Sequence, residues 1–472
     1  MKKIKVGIMT MSDGRQHIHD DMLETNLKYQ DSLAKALEAT GEIEVVVAER
    51  VINSNTAAKE EAKRLLESGV EMTIFNYAIW CYPQFSVVAA NFAPGPFILF
   101  SNLHPEKCGM VGMLAASGSL NQLGIKHTRI WGSIEDSTVF EKVFNYIKAG
   151  AAVKRLRGLT FGNFGGRPLG MYTAVSNLEQ WQRMFGIDVE NIEQEDIVRA
   201  GNTIDAGRVE SALSWLEENC GEIGYNGTNL TRGKLRTQIR SYFGLRKIID
   251  EKKLDFIGIK AHGDVTENYV TMDVAEAFLN DPYDMEGPHE PIVAATEADM
   301  DGALTMQIFK HLSGSPVLFA DVRHYDGENN IWYFSNSGTH ATFFAGGSYD
   351  PADNLKNVKL LPETVDYPAG GASVWHIAHP GKVTLARLAR RNGEYRLSIV
   401  PAEIVRFDEA TDERLSKVAT PQWPVAFTRL EVDADYFISK FPCNHIHGVY
   451  GDYVDQLIAV AEILGIEYEI FR

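Results

Sequence analysis

Two acidic residues that follow short apolar runs, Glu297 and Asp321, have the types and spacing for joint chemistry. The segment around them predicts, in order, a buried strand at 292–295, a helix at 299–312 and a second buried strand at 317–320. In an open α/β sheet, ligands bind at the carboxyl ends of strands, so two carboxylates there can share a metal ion or a substrate. The alternative is that each acid caps a helix or a turn.

The elements that position these acids follow an alternating pattern. Strand patterns occur at 5–9, 44–48, 72–76, 97–101 and 129–131, with helical patterns between them such as 21–38, 57–67 and 111–122. A strand at 157–160 begins a second block, which continues through helices at 208–218 and 233–251 and a strand at 255–259. Repeated alternation of this kind predicts parallel, doubly wound sheets.

After Asp321 the pattern becomes mainly β. Strands are predicted at 331–334, 341–344, 374–377, 383–388 and 395–400, and a last helix at 453–464. Asn392-Gly393 is a strong signal for a type I′ hairpin turn. We therefore expect an α/β protein with two doubly wound domains, 1–153 and 154–312, followed by a mainly antiparallel, β-barrel-like domain at 313–472.

Composition excludes several classes of protein. The 472-residue chain has a formal net charge of −17 and no cluster of Lys and Arg, so we expect no nucleic-acid partner. Its apolar runs are too short for a membrane helix of about twenty residues. The four cysteines are scattered without CxxC spacing, which favours a reduced, cytoplasmic protein.

The segment 290–323, EPIVAATEADMDGALTMQIFKHLSGSPVLFADVR, resembles the metal-site signature of the L-fucose isomerase family of sugar ketol-isomerases. Other segments resemble family motifs in the same order: Asp13-Gly14-Arg15, Trp80-Cys81-Tyr82, Leu169-Gly170-Met171, Asn336-Ser337-Gly338, Trp423-Pro424, Asn444-His445 and Tyr450-Gly451. The similarity runs over nearly the whole chain, which is shorter than typical members.

This resemblance implies a divalent metal, usually Mn²⁺, held by Glu297, Asp321 and His445. Two carboxylates and one imidazole suit Mn²⁺ better than they suit a metal ion that prefers thiolate ligands. The resemblance also makes Glu297 and Asp321 the bases that move protons through an enediol, and which of them deprotonates C2 is left open. His447 is the alternative ligand, but we expect it to point to the opposite face of an extended segment.

Substrate-binding residues are implied in the same way. Arg15 and Trp80 resemble positions that line the sugar site from a neighbouring subunit, which implies a homo-oligomer, consistent with a hexamer, with active sites at its interfaces. The resemblance also implies that Asn444 binds the substrate. Lys260 and His262 stand where the family usually carries glutamines, so we expect a modified or anionic sugar, unless Lys260 pairs with a nearby acid such as Asp264.

Two other functions fit the same residues. The first is a sugar-binding protein without catalytic activity, because doubly wound domains also bind free sugars. The second is another metal-dependent enolising enzyme, such as an epimerase or an aldolase. Product analysis separates these from an isomerase.

Overall fold

The structure is a computed structural model that describes residues 3–337, 340–364 and 366–472, so Gly338 of the predicted Asn336-Ser337-Gly338 motif lies outside the described residues. The chain divides into two compact units. The first runs to Arg155 and takes in Asp455–Gly465, and the second comprises Leu156–Val454 and Ile466–Arg472. The three-domain division at 1–153, 154–312 and 313–472 stays a prediction. None of the helices in the described ranges is both long enough and apolar enough to cross a membrane.

The first unit is built on a five-stranded parallel sheet in the order β2-β1-β3-β4-β5. Its strands are β1 (Ile4–Met11), β2 (Ile43–Val47), β3 (Met72–Tyr77), β4 (Phe97–Ser101) and β5 (His127–Trp131). All five predicted strands are confirmed. The buried strands β1, β3 and β4 are encoded as nearly continuous apolar runs.

Helices complete this unit. They are α1 (Gln16–Glu38), α2 (Asn55–Glu67), α3 (Gln84–Ala90), α4 (Gly109–Gln122), α5 (Ser137–Leu156) and, from the far end of the chain, α16 (Val454–Leu464). The Ser54 hydroxyl caps α2 by accepting a hydrogen bond from the Ala57 N–H at 3.2 Å. The predicted last helix is thus confirmed and belongs with the first unit.

The second unit begins with a four-stranded parallel sheet in the order β12-β9-β6-β7. Its strands are β6 (Thr160–Phe164), β7 (Asp188–Ile192), β9 (Phe256–Ile259) and β12 (Ala294–Thr296). The helices of this part are α6 (Leu178–Phe185), α7 (Gln194–Gly201), α8 (Ala206–Asn219), α9 (Arg232–Lys252), α10 (Val265–Asn268), α11 (Asp273–Asn280) and α12 (Met300–Ser313). Short strands are β8 (Glu222–Ile223), β10 (Tyr283–Asp284) and β11 (Gly287–Pro288).

A closed antiparallel ring of strands forms the rest of the second unit. Around the ring the strands are β17 (Gly381–Arg391), β20 (His445–Tyr450), β13 (Leu318–Asp326), β14 (Ile331–Ser335), β19 (Val425–Leu430) and β18 (Glu394–Ile404). The β17–β18 pairing closes the ring, and β21 (Glu467–Ile470) adds to β18 in parallel. Asn392 and Gly393 both have positive φ between β17 and β18, as a type I′ turn requires. The predicted fold class is confirmed.

Smaller elements surround this barrel. They are α13 (Pro351–Leu355), β15 (Lys359–Pro362), β16 (Ala372–Trp375), α14 (Glu409–Ser416) and α15 (Ala434–Lys440). The strand predicted at 341–344 is wrong, because Thr342–Ala345 is a 3₁₀ helix. The buried Asp281 carboxylate accepts hydrogen bonds from the N–H groups of Thr342 and Phe343, and these bonds hold the turn.

The sheet assignment of Asp321 also differs from the prediction. Its strand, β13, does not lie beside β12 in the parallel sheet but pairs with β20 and β14 in the barrel. Asp321 is therefore within a strand and not at the carboxyl end of one. Helix α12, which contacts β9 and β12 as well as β17 and β20, connects the two sheets, and nearly all of its residues are buried.

Candidate functional site

Three predicted site residues meet where the barrel borders the parallel sheet within the second unit. Glu297 directly follows β12, Asp321 lies in β13, and His445 is the first residue of β20. Asp321 and His445 are direct partners across the antiparallel β13–β20 pair. Cross-strand partners have Cβ atoms about 5 Å apart, so this register alone brings the two side chains together.

Glu297 reaches the same place from an unusual backbone conformation. Glu297 and the next residue, Ala298, have φ of +57° and +46°, a left-handed region that residues other than glycine rarely occupy. The Ala298 N–H donates to the Ile259 carbonyl at 2.8 Å, which ties this turn to β9. Local strain of this kind persists when the surroundings hold it, and it concentrates at functional sites.

The three side chains converge on one ring nitrogen. His445 Nε2 lies 2.8 Å from Glu297 Oε2 and 3.4 Å from Asp321 Oδ1. The Asp321 carboxylate also accepts hydrogen bonds from the amides of Asn336 at 3.0 Å and Asn444 at 3.3 Å. Burial raises the pKa of Asp321, an effect that the nearby His445 opposes.

A buried ion pair lies behind His445. Asp299 Oδ2 accepts a hydrogen bond from His445 Nδ1 at 2.6 Å, and the Arg387 guanidinium donates to both oxygens of the same carboxylate at 2.5 and 3.1 Å. Burial opposes ionisation of Asp299, but the Arg387 charge and the His445 hydrogen bond hold its pKa well below the usual range. Burial likewise opposes protonation of His445, yet the Asp299 and Glu297 contacts raise its pKa.

The donor set fits a divalent cation in chemical terms. Two carboxylates and one imidazole suit ions such as Mn²⁺. His445 Nε2 is fully buried and makes no well-aligned hydrogen bond. A ring nitrogen without such a bond is able to bind a metal ion. Among the residues that the structure describes, no three His, Cys, Asp or Glu side chains are already spaced around a common point as a cation requires.

A cleft of about 430 Å³ opens above these residues. Besides Glu297 and Asp321, its lining consists of Leu169, Met171, His262, Val322, Arg323, Asp366, Trp423 and Asn444. The Arg323 guanidinium lies over the Trp423 ring, 4.8 Å from its centroid. The cleft combines an aromatic face with charged and amide groups, as sites for small polar ligands do.

Comparison with known families agrees with this arrangement. The family model of the first N-terminal domain of L-fucose isomerase matches residues 3–158, and that of its C-terminal domain matches residues 334–472. Together the two matches cover more than half of the chain. The chain belongs to the L-fucose isomerase family. Glu297 and Asp321 lie between the two matched stretches, whereas His445 lies within the second.

Individual relatives match along nearly the whole chain at low identity. The L-fucose isomerase of Vibrio vulnificus strain YJ016 is 24% identical over 99% of this chain and 95% of its own length. That of Haemophilus influenzae strain PittEE is 24% identical over 98% of this chain and 92% of its own length. That of Escherichia coli O139:H28 is 26% identical over 77% of this chain and 70% of its own length. The predicted family is confirmed, and its members are intramolecular oxidoreductases that interconvert an aldose and a ketose.

The two predicted substrate-binding residues Lys260 and His262 differ in their surroundings. His262 lines the cleft, stacks on Tyr367 with ring centroids 4.9 Å apart, and has Nε2 at 3.9 Å from Glu297 Oε1. Lys260 does not line the cleft, and its Nζ lies 3.7 Å from Asp264 Oδ2. For Lys260 the structure thus favours pairing with Asp264 over contact with a substrate.

His447 does not point away from His445, and that expectation is wrong. Residues two apart along a strand share a face. Both rings accordingly pack against Phe319, each with its centroid 4.7 Å from the phenyl centroid. The two histidines differ in what their Nε2 atoms contact. His447 Nε2 lies 3.1 Å from Arg387 Nη1, whereas His445 Nε2 faces the carboxylates of Glu297 and Asp321.

Arg15 and Trp80 lie in the first unit. The Arg15 guanidinium forms an ion pair with Asp13 at 2.7 Å, and about half of its side chain is exposed. Trp80 is partly buried beyond the end of β3. Their predicted role in binding sugar at a neighbouring subunit stays a prediction.

Sequence reasoning missed Asp299 and Arg387. Asp299 appeared only as the start of a predicted helix, although its carboxylate also bonds His445. Arg387 stands within an apolar strand pattern, Val383 to Leu388, and a lone cation in such a run is the signal that could have revealed a buried ion pair.

Proposed function

We propose that this protein is an aldose–ketose isomerase that depends on a divalent cation and acts on an open-chain sugar. Glu297, Asp321 and His445 hold the cation. The observation that supports this most strongly is the convergence of two carboxylates on the buried His445 Nε2 beneath the cleft, in a chain of the L-fucose isomerase family.

Isomerisation requires the loss of a proton from C2 of the aldose and its return at C1, through an enediol. A bound divalent cation would supply Lewis acidity at the two substrate oxygens where negative charge develops. Glu297 and Asp321, the two carboxylates that line the cleft beside His445, are the proposed bases. Asn336 and Asn444 hold the Asp321 carboxylate in place, and the turn at Glu297 aims the other carboxylate at the same site.

The cleft residues suggest how the sugar is held. Asn444 and His262, which line the cleft, offer hydrogen bonds to hydroxyl groups. The Trp423 indole, which is buried and lies under the Arg323 guanidinium, forms part of the cleft wall. An anionic substituent would meet Arg323, which lines the cleft, rather than Lys260, which pairs with Asp264. Because Lys260 pairs with Asp264, it gives no reason to prefer an anionic sugar, and we propose a neutral aldose as the principal substrate. A modified sugar with an anionic group that binds Arg323 is the alternative.

The proposal also covers the location of the protein, its assembly and the identity of the cation. We expect a cytoplasmic homo-oligomer, with Arg15 and Trp80 completing the site of a neighbouring subunit. Mn²⁺ is the expected cation because carboxylate oxygens and one imidazole suit it.

The test is ketose formation by chelator-stripped protein, with and without added Mn²⁺, over neutral, deoxy and anionic aldoses. We expect turnover only with the cation and faster turnover of neutral sugars. Turnover that is unaffected by chelation would contradict the role of the cation, and a preference for anionic aldoses would reverse the substrate assignment.

A further inference from the structure

A continuous line of buried polar contacts leads from the barrel wall to the proposed cation site. Arg387, on β17, donates to both oxygens of Asp299, and Asp299 accepts from His445 Nδ1 at 2.6 Å. All three residues are fully buried. The arrangement leaves His445 Nε2 as the ring nitrogen that faces Glu297 and Asp321.

The contacts between Arg387, Asp299 and His445 determine which ring nitrogen of His445 carries the proton. A neutral imidazole carries its proton on one nitrogen, and the hydrogen bond made by that nitrogen decides which one it is. With an ionised carboxylate at Nδ1, the proton stays on Nδ1 and the Nε2 lone pair is available for a cation. Carboxylate partners of this kind orient metal-binding histidines and raise their basicity.

The Asp299 carboxylate is held in position by two groups, the Arg387 guanidinium and the Gly302 N–H. Its Oδ1 accepts the Gly302 N–H at 2.9 Å, so the carboxylate is also the N-cap of α12. A Cβ on Gly302 would lie 2.7 Å from Asp299 Oδ2 and 2.9 Å from Arg387 Nη1. Glycine at this position therefore lets the guanidinium reach the carboxylate.

A second ion pair between the same two elements serves as an internal comparison. Asp301, also in the first turn of α12, accepts from Arg390 Nε at 2.9 Å and from the Tyr395 hydroxyl at 2.6 Å. Arg390 belongs to β17, as Arg387 does. Asp301 is equally buried, but its hydrogen bonds do not reach Glu297, Asp321 or His445. The two ion pairs differ in that the Asp299 carboxylate also bonds His445, whereas the Asp301 carboxylate does not.

We propose that Asp299 and Arg387 are positioning residues that keep His445 in the Nδ1–H tautomer and aim its Nε2 at the cation. This rests on the proposed function, because it assumes that a divalent cation binds at Glu297, Asp321 and His445. Neither residue touches the substrate. Their effect on the cation is exerted through His445, which Asp299 contacts directly.

The first test compares Asp299→Asn with Asp301→Asn. Asparagine can still cap α12, but an amide N–H facing His445 Nδ1 would move the ring proton to Nε2. We expect Asp299→Asn to weaken Mn²⁺ binding, titrated by electron paramagnetic resonance, by about 10- to 100-fold, a typical effect of removing such a partner. Asp301→Asn, matched in burial and ion pairing, should leave Mn²⁺ affinity unchanged even where both variants lower the melting temperature. Equal losses of affinity in the two variants would overturn the proposal.

A second measurement needs only the wild-type protein, in case Asp299→Asn does not fold. Nitrogen-15 NMR of histidine-labelled protein loaded with diamagnetic Cd²⁺ should show His445 protonated at Nδ1, with its signals assigned by their loss in His445→Gln. Protonation at Nε2 would overturn the inference while leaving cation binding intact. If wild-type protein binds neither Mn²⁺ nor Cd²⁺, the proposed function itself fails, and this inference with it.

Discussion

At the scale of single residues, the candidate site depends on a few side chains held in costly environments. Glu297 and Ala298 occupy left-handed backbone conformations, and Asp299, Arg387 and His445 are fully buried polar groups. Each would be unfavourable alone. Mutual pairing compensates for their burial, which is why the site tolerates so many polar groups within an apolar interior.

Replacing Glu297 by glutamine tests the residue with the most direct role. The change keeps the side-chain shape but removes the proposed base and replaces a charged cation donor by a neutral amide. We expect kcat to fall by about 10² to 10⁴-fold, the usual contribution of a general base, with the melting temperature little changed. The matched control is Glu290→Gln, which makes the same change in an exposed side chain that pairs with Lys310. Near wild-type turnover in Glu297→Gln would remove this residue from the mechanism.

The sequence supported the prediction of Glu297, Asp321 and His445 only because the surrounding motifs resemble a known family. Residue type and spacing alone left two histidines open, and the expectation for His447 was wrong because residues two apart in a strand share a face. Arg387 was missed for a physical reason. Its partner, Asp299, lies on a helix far away in the sequence, and no local pattern encodes that contact.

At the scale of elements, α12 is the part that sequence predicted best and β13 the part it placed least well. The helix was recognisable from Asp299 at its start and Gly314 after its end, where φ is +66°. The partners of β13 were not predictable in the same way, because β20 is more than a hundred residues away and pairing depends on the whole barrel. The apolar run that predicts a buried strand does not specify its sheet.

Gly258 of β9 offers an element-scale prediction. A Cβ there would lie 3.0 Å from Ala298 Cα and 2.9 Å from Phe161 Cζ, so Gly258→Ala presses on the turn that carries Glu297. We expect a loss of stability of about 1–3 kcal/mol, as for other overpacked sites, together with weaker Mn²⁺ binding and lower kcat/KM.

Gly162→Ala is the matched control for Gly258→Ala. Gly162 lies in the neighbouring strand β6, and a Cβ there would meet side-chain atoms only, the nearest being Leu254 Cδ1 at 2.7 Å. Unfolding in urea measures the stability of both variants. If Gly162→Ala weakens Mn²⁺ binding as much as Gly258→Ala does, the turn at Glu297 is not the sensitive element.

At the scale of the whole molecule, a buried pair of acids links distant parts of the second unit. Asp273 begins α11, while Glu363 follows β15 and accepts a hydrogen bond from the Trp423 indole at 2.8 Å. Burial raises the pKa of Glu363 to about 7, and burial together with the Glu363 charge raises the pKa of Asp273 well above its usual range. Two adjacent buried carboxyl groups cannot both ionise without a large cost.

This acid pair predicts a pH dependence of stability. In the unfolded chain both carboxyls have pKa values near 4, so between about pH 4 and 7 the folded state binds more protons than the unfolded state. The free energy of unfolding should therefore fall as the pH rises through that range and beyond. We expect Asp273→Asn, which stays neutral, to show a smaller fall in melting temperature between about pH 5 and 8. Parallel curves for wild type and variant would show that the pair does not titrate in this way.

The measurement that tests the central claim most directly is the fate of hydrogen in D₂O. Chelator-stripped protein reloaded with Mn²⁺ is given a neutral aldose, and the product is analysed by proton NMR after the metal is removed. An enediol mechanism in which a carboxylate exchanges its proton with solvent predicts a ketose that carries deuterium at C1. An aldose epimer, cleavage products or unchanged sugar from a folded, Mn²⁺-bound protein would contradict the assignment as an isomerase.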